Sequence, residues 1–234
     1  MIFYKLHALS NDFIFFYKND QNNVDIKGVC DRNTGIGADG VVFFEDKSDI
    51  MEISLYNKDG SLSKNPGNAF FCAAKLLSVI DKDKIHGKII SGKLIFEYKK
   101  NNSGIKAFFK EMPKKTLKDG YFEVIIGNLH KVYIRDEISH DEMLEIAKNS
   151  KDYNIEFIKK EENSFIVKVF ETGVGFTSGA SSAALAIFSC IAEEYIDKEV
   201  DIVFDGGVVK AVLKNNIINL TCFPHFVFSG NIDR

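Results

Sequence analysis

Residues 68–80 read NAFFCAAKLLSVI and residues 182–190 read SAALAIFSC, and these two stretches decide the fold. Each has helical length and is apolar on nearly every face, interrupted mainly by Lys75 and small serines. A helix apolar all round must be enclosed by protein or must cross a membrane. Crossing takes roughly 18 or more apolar residues, so at these lengths only enclosure is open. The two stretches also start alike. Asn57-Lys58-Asp59-Gly60-Ser61 leads to Pro66-Gly67-Asn68, and Glu171-Thr172-Gly173-Val174-Gly175 leads to Ala180-Ser181-Ser182.

Working outward, most of the remaining chain reads as short β-branched and aromatic runs bounded by turn residues. The first set is Phe13–Tyr17, Gly40–Phe44, Met51–Tyr56, Lys88–Ile90, Leu94–Tyr98 and Ile105–Phe109. The second is Tyr121–Ile126, Lys131–Ile134, Asn154–Ile158, Phe165–Phe170, Val200–Phe204, Val208–Leu213 and Ile217–Cys222. Strong turn signals separate them, at Lys58-Asp59-Gly60, Asn101-Asn102-Ser103-Gly104, Asp205-Gly206-Gly207 and Asn215-Asn216. A third helix, Ser139–Ser150, has Ser139 as N-cap and Glu142 placed for a capping box, with Met143, Leu144, Ile146 and Ala147 behind. The pattern predicts an α+β protein of two similar halves, each a curled sheet wrapped on a central buried helix. The polar segment 112–120, with Pro113, Lys114, Lys115 and Lys118, is the expected linker.

Bulk properties limit the function classes. Hydrophobic content of 45% and charged content of 27% are those of an ordinary globular protein, which excludes disordered and fibrous classes. A net charge of -3 with interspersed signs gives no attraction to nucleic acid or to anionic membranes. The start MIFYKLHALSNDF lacks signal-peptide features, and Cys30, Cys72, Cys190 and Cys222 show no disulfide or metal-ligand spacing. A reduced, cytoplasmic protein is expected. Cys72 and Cys190 fall in apolar helical stretches, where a free cysteine acts as a small hydrophobe.

The paired helix starts point to a binding site. A helix N-terminus offers unpaired N–H groups and partial positive charge, which suits a carboxylate. Two of them, one from each half, are expected to converge on one small anionic ligand at the domain interface. Taken singly, such a Gly-rich turn can be no more than a tight connection; the pairing and the buried helices favour a site.

The residues resemble those of the diaminopimelate epimerase family. Asn11-Asp12-Phe13 is similar to its Gly-Asn-Asp-Phe signature, with Ser10 in place of glycine, and Asp31-Arg32 with Gly35-Ile36-Gly37-Ala38-Asp39-Gly40 to its Asp-Arg…Gly-Ile-Gly-Ala-Asp-Gly stretch. Asn57-Lys58-Asp59-Gly60-Ser61 with Gly67-Asn68, Gly127-Asn128-Leu129-His130, Asn154-Ile155-Glu156-Phe157 and Glu171-Thr172-Gly173-Val174-Gly175 resemble further motifs in order, and Phe226-Val227-Phe228-Ser229-Gly230 its C-terminal strand. The resemblance implies two pseudo-symmetric domains, each a β-barrel-like sheet around a central helix: 1–113, to which the strand in 225–234 returns, and 114–224. It also implies an amino-acid epimerase or racemase of lysine biosynthesis, working without pyridoxal phosphate or metal.

Carried over, the substrate-binding positions are Asn11, Asn57, Asn128, Asn154 and Glu171, with a carboxylate cradle at Gly67 and Asn68 and at Ser181 and Ser182. Turn formation is the alternative for the asparagines. The family's two catalytic cysteines fall on Pro66 and Ala180, neither of which can move a proton. The arginine that helps bind the distal carboxylate falls on Thr172. Among replacements, Cys72 lies about 240° round the helix from Pro66 and reads as core, and His130 can titrate near neutrality though the family position looks structural. Two readings therefore stand: an isomerase using other groups, or a catalytically inactive relative that binds an amino acid or a protein partner. The implied partners are a small amino-acid ligand and either a second copy in a homodimer or another protein.

Overall fold

The structure, a computed structural model, describes residues 1–47, 50–63, 65–102 and 104–233. It divides into unit 1, Met1–Ala107 with Phe223–Arg234, and unit 2, Phe108–Cys222. Ser103, within the turn expected at 101–104, lies outside the described residues.

Unit 1 opens with the antiparallel pair β1 (Ile2–Ala8) and β2 (Asn11–Tyr17), joined by Leu9 and Ser10. Helix α1 (Ile26–Cys30) leads to β3 (Gly40–Lys47), which lies parallel to β2, and β4 (Ile50–Asn57) returns antiparallel to β3. Then come α2 (Gly67–Ile80), β5 (His86–Ser91), parallel to β4, and β6 (Leu94–Asn101), antiparallel to β5. Strand β7 (Gly104–Phe109) carries the chain past the Ala107/Phe108 boundary.

Unit 2 repeats the plan. Strand β8 (Lys114–Leu117) pairs with β9 (Phe122–Ile126), and β9 pairs antiparallel with β10 (Asn128–Ile134). After α3 (His140–Lys148), β11 (Tyr153–Lys160) runs parallel to β10 and β12 (Ser164–Glu171) antiparallel to β11. The short β13 (Gly175–Thr177) precedes α4 (Ser181–Ile191), which is followed by β14 (Val200–Phe204), β15 (Gly207–Lys214) and β16 (Ile217–Cys222). The last strand, β17 (His225–Asn231), belongs to unit 1 and pairs with β1, as β8 pairs with β9.

In each unit the sheet wraps the helix. Helix α2 touches β1, β2, β4, β5, β6 and β17, while α4 touches β9, β10, β11, β15 and β16. Its apolar girth explains why α2 is enclosed: Phe71, Cys72, Ala73, Ala74 and Leu76 are buried on successive faces, and the Phe70 and Phe71 rings meet Phe96 at 5.1 and 4.9 Å. Every deep position removes apolar surface from water, roughly 25 cal/mol per Å². Among the described residues no helix is long and apolar enough to cross a membrane.

Two local expectations change. The stretch expected as linker contains β8, which pairs with β9 from Lys114 to Leu117; its mostly exposed residues hide the strand pattern. In α3, Ser139 Oγ does accept from the Glu142 N–H at 3.3 Å, but the Glu142 carboxylate turns to the Arg135 guanidinium at 2.9 and 3.0 Å. A charged donor outcompetes the backbone N–H that would close the capping box.

Candidate functional site

Gly67 and Asn68 open α2, and Ser181 and Ser182 open α4. Their N-caps are Pro66 and Ala180, neither of which caps its helix with its own side chain, whereas Ser139 caps α3. Gly67 begins α2 with φ +24°, on the left-handed side that glycine tolerates. Its N–H is taken by Asn65 Oδ1 at 3.3 Å. The spacing from Asn57 to Gly67 equals that from Glu171 to Ser181, so both halves approach their helix by a turn of one length.

In unit 1, Asn11 and Asn68 meet. The Asn68 amide donates to Asn11 Oδ1 at 3.3 Å, and Asn11 Nδ2 donates to Asp39 at 3.0 Å. Asn11 follows Leu9 and Ser10, whose φ angles of 53° and 62° form a tight hairpin. Asn57 stays apart, donating to Ser61 Oγ at 2.9 Å within its own turn.

An ionic network, absent from the sequence reading, lies under this cluster. Arg32 grips Asp12 through two N–H groups at 3.0 and 2.7 Å and reaches Asp39 at 2.9 Å. Lys5, only 6% exposed, donates to Asp12 at 2.6 Å and also to the Gly37 carbonyl. Burial raises the Asp12 carboxyl, but the bonds from Arg32 and Lys5 outweigh it and hold the group well below the usual carboxylate range. Beside the network a hollow of about 280 Å³ is lined by Lys27, Cys30, Arg32, Asp39 and Lys58. A larger one, about 550 Å³, lies near Leu77 at the opposite end of α2, among Asp46, Lys84 and Tyr98.

In unit 2, Asn128 contacts His130 Nε2 at 3.0 Å, and His130 Nδ1 lies 2.6 Å from Glu156. Asn154, one strand over from His130, accepts from the Thr172 N–H at 3.0 Å. Glu171 accepts from Thr177 at 2.6 Å, and burial raises its carboxyl above the usual range. Ser181 is buried and Ser182 half-buried at the start of α4. Asn128 and Asn154 thus flank one buried acid–base pair, while Glu171 sits at the mouth of the turn to α4. The Asn154-Ile155-Glu156 stretch was the available signal for Glu156, but sequence alone does not show which of its residues face inward.

None of the four cysteines takes part in a disulfide. Cys72 is fully buried, and burial pushes the Cys30 thiol up to about 11 and that of Cys190 to about 12, so these two resist forming a thiolate. Among the described residues no His, Cys, Asp and Glu cluster could hold a metal.

A sheet wrapped on a central helix thus occurs twice in the chain, the architecture of a duplicated sheet-around-helix protein. The diaminopimelate epimerase family model matches residues 3–109. The chain is 31% identical over 247 residues to the diaminopimelate epimerase of Rickettsia akari, covering 92% of each protein. It is 27% identical over 282 residues to that of Clostridium acetobutylicum, covering 98% of this chain and 84% of the relative. Among solved structures, a phenazine biosynthesis protein of the PhzF family from Enterococcus faecalis superposes with a TM-score of 0.69 at 10% identity, over 98% of this chain and 97% of that one. The chain belongs to the diaminopimelate epimerase family.

Proposed function

We propose that this chain is an amino-acid-binding member of the family that lacks its two-thiol chemistry. The ligand is a small amino acid; Gly67 and Asn68, with Asn11 and Asn57, are the binding positions of unit 1, where a carboxylate would displace the Asn65 side chain from the Gly67 N–H, and Ser181 and Ser182, with Asn128, Asn154 and Glu171, are those of unit 2. The observation that carries this is the identity of the two N-caps: Pro66 and Ala180 stand at helix starts, where a dipole would activate a thiol, and neither side chain can accept or donate a proton. Thr172, in place of arginine, argues for a ligand without a distal carboxylate. No cofactor is needed for such binding, and the cytoplasm is the proposed compartment.

A second reading, an active isomerase using other groups, draws support from the titratable groups His130, Glu156 and Glu171 gathered in unit 2. The two are separated by incubating the pure protein with diaminopimelate, proline and histidine in D₂O and following the α-proton by NMR. The binding reading expects exchange no faster than buffer together with a rise in melting temperature with at least one amino acid. Exchange above the buffer control would establish the isomerase instead. Restoring both thiols, Pro66→Cys with Ala180→Cys, is expected to raise α-proton exchange on the amino acid that binds.

A further inference from the structure

The hollow of about 550 Å³ in unit 1 lies where unit 2, built on the same plan, packs an aromatic ring. The strand registers fix the correspondence. In unit 1, Asp46 faces Met51, Met51 faces Ile89 and Tyr98 faces Gly87. In unit 2, Lys160 faces Phe165, Phe165 faces Ile202 and Ala211 faces Val200. Lys160 therefore corresponds to Asp46, Phe165 to Met51 and Ala211 to Tyr98. The two central helices end differently above these positions. Helix α4 runs on into a 3-10 turn, Ala192–Tyr195, which sets the Tyr195 ring edge-on to Phe165 with centroids 5.7 Å apart. The Lys160 ammonium lies 5.8 Å from the centre of the same Tyr195 ring. Helix α2 stops at Ile80, and its cap Asp81 is already extended, so unit 1 brings up no such ring.

What lines the hollow fits a small ligand. Met51, Leu77 and Tyr98 are all buried and make apolar walls, and the volume falls within the roughly 300–1,000 Å³ of small-molecule sites. Tyr98 also brings a polar atom that Ala211 lacks. It is only 3% exposed, and its hydroxyl makes no hydrogen bond among the described residues. Burial, with the Asp46 charge as the second cause, pushes that hydroxyl up to about 12. The hydroxyl end of Tyr98 thus lies within reach of Asp46, on the wall of the same hollow. A polar group so placed calls for a partner.

The wall is acidic. Asp46 is matched by Lys84 at 2.6 Å and Lys88 by Glu97 at 3.5 Å, whereas Asp83 has no ion-pair partner among the described residues. The C-terminal end of α2 adds partial negative charge. Where unit 2 sets a lysine against its own ring, unit 1 sets an aspartate.

We propose that this hollow is a binding site for a small aromatic amine. The ring lies on Met51 and Leu77 as Tyr195 lies on Phe165, and the ammonium meets the Tyr98 hydroxyl oxygen and the acidic wall of Asp46 and Asp83. The site is distinct from the helix starts, because the two ends of the 14-residue α2 lie roughly 20 Å apart. It does not depend on the amino-acid reading.

The probe is 2-phenylethylamine, and its control is phenylacetate, a similar ring with the opposite charge. Both are titrated into the full chain carrying carbon-13 methionine methyls, with the Met51 signal assigned from Met51→Leu. Calorimetry is expected to show saturable binding of the amine with Kd below about 1 mM and binding of phenylacetate about tenfold weaker or less. The Met51 methyl is expected to shift under the ring current of the bound amine. Absence of saturation by about 10 mM, equal binding of phenylacetate, or binding that leaves the Met51 methyl unmoved would each overturn the proposal. Tyr98→Phe keeps the ring and is expected to bind the amine about tenfold more weakly. Asp83→Asn, at an exposed position, is expected to weaken it about threefold. If Tyr98→Phe melts too low to titrate, Asp83→Asn decides; unchanged affinity in a folded variant refutes the site.

Discussion

Replacing Asp12 by asparagine tests the ionic network beneath Asn11. The Lys5 and Asp12 side chains are 8% and 15% exposed and meet at 2.6 Å. Asparagine keeps the size and an acceptor oxygen but leaves the Lys5 ammonium without its counter-charge. Removing one partner of a buried pair costs about 3–5 kcal/mol. Arg32 is 58% exposed and can turn to water or to Asp39, so its lost contact adds little. The lower end, about 3 kcal/mol, is therefore expected, and a melting temperature lower by about 6–12 °C. Scanning calorimetry reads the shift, with urea unfolding as a second measure. The charge argument also specifies a cycle: Lys5→Met added to Asp12→Asn removes the stranded ammonium and should recover more than half of the loss. Additive losses in that cycle, or less than about 1 kcal/mol for Asp12→Asn alone, would refute the account of the network.

Because the Asp12 carboxyl is held below its ordinary value, its contribution is complete above about pH 4 and is lost as pH falls below that towards the depressed folded value. Urea midpoints measured from pH 6 down to pH 3 should fall less steeply in Asp12→Asn than in the unaltered chain. At Gly40 an added Cβ would lie 2.7 Å from the Tyr56 carbonyl oxygen, which is backbone and cannot step aside. Gly40→Ala should lower stability by about 1–3 kcal/mol in urea unfolding. Ser139→Ala removes the only N-cap residue of the three longer helices, α2, α3 and α4, that caps with its own side chain, and should cost about 1 kcal/mol by the same measurement.

What the sequence revealed, and what it hid, follows from the range of the interactions involved. Helices α2 and α4 were legible because apolar residues on all faces leave one environment open to them. Most strands were legible from their β-branched and aromatic runs, though β1 and β13 were not, and family spacing singled out Asn11 and Asn68, which the fold brings together. The Lys5–Asp12–Arg32–Asp39 network was not, because it exists only once β2 and β3 lie parallel in register and bring residue 39 beside residue 12. Glu156 was visible in a motif yet not as a buried partner of His130, since that pairing depends on the β10–β11 register. Strand β8 escaped because one half-buried lysine among exposed neighbours carries no alternating signal.

The return of β17 to unit 1 bears on how the molecule is made. Unit 2 is one unbroken run of chain, 108–222, so all its strands have been synthesised before residue 223 is joined. Unit 1 begins first and finishes last: until His225–Asn231 arrives, β1 has β2 on one side and lacks its β17 partner on the other. Bare backbone donors and acceptors along such an edge invite pairing with a foreign strand. A ribosome stalled within the preceding hundred residues would thus hold a half-closed unit with an adhesive margin, the kind of exposed edge that chaperones cover.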